Sequence, residues 1–268
     1  LKELNSKSGV ESGDPSEQVG IIAIEIMPVS FRITHPALGR EEMCAEIDQI
    51  LHKHFGPDQK FVLVSHSYGT VITTHLVKDP EISPRIGAIV LIDPVSILLH
   101  LPDVAYNFTK RQPKYANEHQ LYYFASMDMG VSHSLARSFF WNENVLWKKD
   151  LKDRKVTCCL SGQDLIVNTE AVGRYLTANP NSSKHRKGNT TSALIDIGDH
   201  SEPDDSGFGE GSESEDIEND PEEWKTRPWQ GQGINVLWFK DLDHAQVFDK
   251  HSTRMRIINA ICTYCEDV

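Results

Sequence analysis

A chain of 268 residues, 39% of them hydrophobic, is long enough to bury a large core and suits one α/β domain better than two small ones. Its formal charge of −12 argues against a nucleic-acid binder, which would normally show a basic face. No stretch reaches the roughly eighteen uninterrupted apolar residues of a membrane helix, because Glu25 breaks the first candidate and Asp93-Pro94 the second.

The charge is unevenly placed. Between Asp196 and Glu223 there are thirteen Asp and Glu and no Lys or Arg, so the remainder of the chain carries +1. Rich in Ser, Gly and acid and poor in apolar residues, this stretch cannot bury enough surface to offset its ordering entropy. It predicts a disordered acidic insertion over 182–230, solvated rather than packed and suited to recruiting a basic partner. Within it, Ser212-Glu213-Ser214-Glu215-Asp216 has the composition of an acidophilic kinase target, although the solvated reading suffices. The five cysteines, Cys44, Cys158, Cys159, Cys262 and Cys265, are odd in number and irregularly spaced, which argues for free thiols in an intracellular setting rather than a secreted disulfide framework. The single C-x-x-C at 262–265 lacks a second half-site, so no zinc is expected. Leu1 is not an initiator methionine, which points to upstream sequence, and any membrane anchor would have to lie there.

Residues 1–19 read as a polar loop or truncated start. Gly20 to Met27 (GIIAIEIM) is a near-continuous β-branched run that predicts a strand buried on both faces, ended by Pro28. Arg40 to Phe55 places Met43, Ile47, Ile50 and Leu51 on one helical face, and Gly56-Pro57 stops it. A strand over Phe61–Val64 then runs into Ser65-His66-Ser67-Tyr68-Gly69, after which a helix extends to Asp79-Pro80. Ile86 to Ile92 (IGAIVLI) is a third buried strand. Strand alternating with helix is the rhythm of a mostly parallel sheet with right-handed crossovers and helices on both faces.

From Pro94 no clear strand returns until Lys155. Residues 106–147 hold ten of the chain's twenty-two aromatics, which predicts a helical insertion, with most of these rings forming its own core and a minority facing a cleft. Val156 to Leu160 reads as a fourth strand, Thr169 to Leu176 as a helix, Ile234 to Phe239 as the last strand and Val247 to Ile261 as the terminal helix.

Taken by itself, the stretch around Ser67 is a strand, a sharp turn and a helix with a serine at the apex, where small flanking residues are needed because strand and helix backbones pass close together. The alternative is that Ser65 and Ser67 only cap the helix. The stretch resembles the nucleophile elbow G-x-S-x-G of the α/β-hydrolase superfamily, with Ser65 at the first glycine. The Asp164 context (SGQDLIV) is similar to that family's acid loop, and the His244 context (DLDHAQVF) to its histidine loop. The resemblance covers most of residues 20–262 outside the acidic insertion.

What the resemblance implies is an α/β-hydrolase core over 20–95 and 151–262 and a helical cap over 96–150. It also implies a triad in the chain order Ser67, Asp164, His244, with all three at the carboxyl ends of parallel strands. Asp93, ending the strand after the elbow, is the alternative acid. Asp243 is expected to help its loop turn, His66 to pack around the elbow away from the cleft, and His133 to lie on the surface. The Tyr68 N–H would be one oxyanion donor. In this family the second comes from a loop after an earlier strand, and ahead of Gly20 the sequence offers only the polar start. The expected function is a serine hydrolase acting on a small carboxylic ester or thioester with an apolar acyl part, with no cofactor or metal. The missing second donor sustains the alternative, a non-catalytic module of the same fold that binds a ligand or a protein partner.

Overall fold

The computed structural model describes Leu4 and residues 20–30, 35–178 and 222–268. The rest of the polar start and the acidic stretch 182–221 lie outside the described residues. Four parallel strands make one sheet in the order β1 (Phe61–His66), β2 (Ile86–Ile92), β3 (Lys155–Ser161), β4 (Ile234–Phe239). Between β1 and β2 runs α2 (Gly69–Val77), preceded in the chain by α1 (Arg40–Phe55). The β2–β3 connection holds four short helices: α3 (Pro102–Thr109), α4 (Ala116–Leu121), α5 (Met129–Arg137) and α6 (Trp141–Asn144). Helix α7 (Thr169–Thr177) follows β3, and α8 (His251–Cys265) closes the chain.

Period-two alternation along the strands sorts the core into two layers. In β2, Ile89 and Leu91 join Met43, Ile47 and Leu51 of α1 together with residues of α2 and α7. Ala88, Val90 and Ile92 face the other way, toward Ile257, Ile261 and Tyr264 of α8. Each such fully buried aliphatic side chain contributes about 1.5–3 kcal/mol. The Tyr264 hydroxyl is not stranded in this layer, since it hydrogen-bonds Thr157 Oγ1 of β3 at 2.8 Å. The fold is therefore a parallel α/β sheet with helices on both faces. Among the described residues, no helix is long and apolar enough to cross a membrane.

Four expectations need correction. Residues 20–26 form no strand: they run into a short 3-10 turn at Met27–Val29, and Ile24 and Met27 are exposed while Pro28 is buried. A β-branched apolar run supplies propensity but not a hydrogen-bonding neighbour, and none of the described strands pairs with it. The aromatics of the insertion do not make a core of their own. Tyr106, Tyr115, Tyr123, Phe124, Phe140 and Trp141 are exposed, Tyr123 and Phe124 on the π-helical turn Tyr122–Ser126 that continues α4. The terminal helix is split from the last loop by a 3-10 turn at Gln246–Phe248 and begins only at His251.

Finally, the acidic insertion does not extend to 230. Residues Glu223–Lys225 form a 3-10 turn whose Trp224 is buried against Trp238 of β4, with ring centroids 5.2 Å apart and edge to face. Lys225 fixes this turn through Glu170 (2.9 Å) and Glu222 (2.8 Å). The indole also fills the space above Gly173 of α7, where any added Cβ would overlap the ring. Trp224→Ala is therefore expected to lower stability by about 3–5 kcal/mol, read as a reduced midpoint in urea unfolding followed by far-UV circular dichroism.

Candidate active site

Each strand end delivers one side chain of the candidate site, and the local backbone explains how. At the end of β1 the ladder continues one residue into the turn, with Ser67 N–H donating to Ile92 O at 3.0 Å. Ser67 has φ +49°, in the left-handed region that costs an L-residue about 1–2 kcal/mol. The elbow is held by two bonds to its carbonyl, from Thr70 N–H (2.9 Å) and Thr70 Oγ1 (2.7 Å). Tyr68 N–H takes no part in these bonds. Ser65 fits where the family pattern has glycine because it faces Gly69, and its Oγ accepts a bond from Thr73 Oγ1 at 2.7 Å.

After β3 the chain turns at Gly162, whose N–H donates to Phe239 O (2.9 Å), and Gln163 N–H donates to Leu242 O (2.8 Å). A Cβ at Gly162 would overlap Lys240 O, so only glycine lets the acid loop and the histidine loop lie this close. Asp164 then folds back on its own loop, Oδ1 accepting from Ile166 N–H (2.7 Å) and Val167 N–H (2.9 Å). Its other oxygen, Oδ2, meets His244 Nδ1 at 2.8 Å, and the Asp164 side chain is fully buried there. His244 Nε2 lies 2.9 Å from Ser67 Oγ. With Asp164 ionised, the proton sits on Nδ1 and Nε2 presents its lone pair to the serine hydroxyl.

The structure thus brings Ser67, Asp164 and His244 together in one hydrogen-bonded series. Asp93, the alternative acid, does not hold Nδ1. It lies fully buried behind the loops, with Oδ1 accepting Ser161 N–H (3.0 Å) and Oδ2 accepting Ala245 N–H (2.9 Å). Asp243 ties the loop as expected and more besides: its Oδ1 accepts from His244 N–H (2.7 Å) and Leu165 N–H (3.1 Å), and its Oδ2 from Asn117 Nδ2 of α4 (2.9 Å). The insertion also reaches the acid loop through Asn107 Nδ2 to Ile166 O (3.1 Å), and its Phe139 packs 6.4 Å from the Tyr68 ring. His133 lies exposed on α5.

His66 departs from expectation. Instead of turning away from the base, its ring packs 5.1 Å from that of His244 and edge-on to Phe248. Its Nε2 is buried without a hydrogen-bond partner among the described residues. Burial, and then the neighbouring imidazole, pull the His66 pKa down to about 4, so it is neutral in ordinary conditions. His244 shifts the other way. Burial alone would lower its pKa, but the hydrogen bond and charge of Asp164, followed by the charges of Asp93 and Asp243, hold it above the usual 6.5.

Asp93, Asp164 and His244 also place three potential ligand atoms within 4.8 Å of one another. Those atoms are already committed: both Asp93 oxygens accept backbone N–H groups, and Asp164 Oδ2 bonds His244 Nδ1. The donor set is built for hydrogen bonds rather than for a cation.

Two features were missed from sequence. Ala245, an ordinary residue in the histidine loop, adopts φ +66°, and Asp93 adopts φ +43°. A lone alanine carries no signal for a left-handed conformation, whereas the Asp93-Pro94 pair did mark a turn.

No family model matches the chain, and no curated protein matches it. Among solved structures, 55% of the chain superposes on 62% of 2-hydroxy-6-oxo-6-phenylhexa-2,4-dienoate hydrolase from Rhodococcus sp. strain RHA1, at 16% sequence identity and a TM-score of 0.33. The superposed part is under two thirds of that enzyme's length.

The opposed environments of the two histidines set a direct test. In an NMR titration of the imidazoles, His244 is expected to protonate above pH 6.5 and His66 only near pH 4. Asp164→Asn should move the His244 midpoint down, because it removes the largest charge favouring the imidazolium.

Proposed function

We propose that the protein is a serine hydrolase that cleaves a carboxylic ester or thioester with an apolar acyl part. The observation that carries this reading is the series Ser67 Oγ, His244 Nε2, His244 Nδ1, Asp164 Oδ2, with contacts of 2.9 and 2.8 Å at the carboxyl ends of parallel strands. A serine hydroxyl is a weak nucleophile at neutral pH and needs a base within this reach, itself oriented by a third group.

In the proposed reaction Ser67 Oγ attacks the acyl carbon while His244 Nε2 takes its proton. The tetrahedral oxyanion is stabilised by the Tyr68 N–H and by a second donor not assigned to any described residue. Collapse breaks the bond to the leaving alcohol or thiol, which receives the proton from His244. Water then attacks the acyl-enzyme by the same route, releasing the acid and restoring Ser67. Asp164 stabilises the imidazolium in both halves. No cofactor or metal enters any step. The apolar acyl preference is supported by Phe139 beside Tyr68 and by the aromatic content of the insertion. The short Ser67–His244 contact supports catalysis over the binding-module reading, which would require neither the contact nor the buried acid behind it.

A fluorophosphonate probe should label the protein at Ser67, and Ser67→Ala should abolish labelling and ester hydrolysis. Persistence of either in S67A, or no labelling of the unaltered protein, would overturn the reading. Asp164→Ala should lower kcat by about 10⁴-fold, the loss expected when the triad acid is removed. Asp93 cannot substitute, since both its oxygens are held by backbone N–H groups. Because His244 must be neutral to act as base and its pKa is raised, kcat/KM should fall as pH drops through a midpoint above 6.5.

A further inference from the structure

Asp93 is a fully buried carboxylate whose place is not explained by the triad. Burial pushes its carboxyl up, so the fold holds it in an environment that penalises its charge. Its geometry shows what that charge is held for. Its own N–H donates to Cys159 O of β3 at 2.9 Å, which fixes its backbone at φ +43°. Its carboxylate then divides between two loops. Oδ1 accepts from Ser161 N–H (3.0 Å), at the root of the loop that carries Asp164, and Oδ2 accepts from Ala245 N–H (2.9 Å), the residue directly after His244. Ala245 is the left-handed residue at φ +66°. The direction in which the chain leaves His244, and with it the aim of the imidazole, is therefore fixed by a bond to Asp93. One carboxylate oxygen each of Asp93 and Asp164 and one ring nitrogen of His244 stand within 4.8 Å of one another, so the Asp93 carboxylate also lies beside the ring that would acquire positive charge.

We infer that Asp93 is a positioning residue with a second, electrostatic part: it clamps the acid and histidine loops together through Ser161 and Ala245, and its buried charge helps Asp164 to stabilise the His244 imidazolium. The groups facing His244 are the carboxylates of Asp164, Asp93 and Asp243 and the His66 ring, which is neutral. Removing Asp93 therefore subtracts one favourable charge and leaves the others in place. The catalytic consequence rests on the hydrolase reading, whereas the clamp and its charge are properties of the folded chain.

The test is Asp93→Asn, which keeps the shape, removes the charge and turns an amide N–H₂ toward one of the two backbone donors. In the folded variant, verified by circular dichroism, the His244 imidazole should titrate about 1 pH unit lower than in the unaltered protein, the order of shift one nearby opposite charge produces. For ester hydrolysis kcat should fall about 100-fold with KM little changed, and the acid limb of kcat/KM should move down in parallel. A residue that only filled space would leave the His244 midpoint and the acid limb where they are, and that result overturns the proposal. If D93N does not fold, the unaltered protein carries the test. The Ala245 amide proton should follow a carboxyl titration with a midpoint above the usual 3.8, and an Ala245 amide that follows none overturns the clamp. The NMR readouts need no substrate, so a protein that hydrolyses no ester would sink the hydrolase reading alone.

Discussion

The arrangement at the site depends on a ladder that does not stop where the strands stop. Ser67 N–H bonds Ile92 O, Asp93 N–H bonds Cys159 O, and Gly162 N–H bonds Phe239 O. Each bond is the next rung after a strand pair, made by the first residue beyond the strand. Three successive turns are thereby fastened to their neighbours before any side chain is considered. Ser67, Asp93 and the loop that carries Asp164 each leave the sheet from a backbone position set by the adjoining strand, and β4 leads into the loop that carries His244. In a parallel sheet all of these rungs fall on one edge, so a single backbone regularity gathers four side chains from far apart in sequence.

On that frame the loops are drawn together by contacts that tolerate little change. Gly162 lies against Lys240 O, Asp243 reaches Leu165 N–H, and Asp93 joins Ser161 to Ala245. Among the described residues, three of the five non-glycine residues with positive φ are Ser67, Asp93 and Ala245. Strain is thus concentrated where the hydrogen bonding is densest, which is where a fold can hold conformations that the isolated chain would abandon. The insertion between β2 and β3 is built on the opposite principle. Its short helices leave six aromatic rings exposed, while Val104, Phe108, Leu121 and Phe139 pack on the main core and polar bonds such as Asn107 to Ile166 O, Asn117 to Asp243 and Asn144 to His75 tie it to the sheet's loops and helices.

Much of this was legible in the sequence because it is written in local patterns. The run IGAIVLI reads as a strand covered on both faces, and Ser65-His66-Ser67-Tyr68-Gly69 marked the turn after the preceding strand by residue size. Asp164 and His244 were legible because each follows a strand and precedes a helix-like stretch. What was not legible depends on neighbours. Gly20 to Met27 has strand composition but no partner among the described strands, and composition cannot state whether a partner exists. Trp224 looked like the end of an acidic tract until its ring was seen to fill the space above Gly173. The aromatics of 106–147 suggested a core because rings are normally buried, and composition does not state which rings find a neighbour to pack against. Asp93 was read as a rival acid since its strand-end position permits that role. The distinction between holding Nδ1 and holding Ala245 is one of direction, which no spacing encodes.

The pairing of His66 with His244 sets a limit on how much charge the site can accept. Two imidazoles with centroids 5.1 Å apart share one buried space, and His66 Nε2 has no hydrogen-bond partner among the described residues. A second proton there would meet both repulsion and the absence of any group to receive its hydrogen bond. His66 therefore lines this space as a neutral ring beside His244, and the hydrogen bonds that His244 makes run to Asp164 on one side and Ser67 on the other.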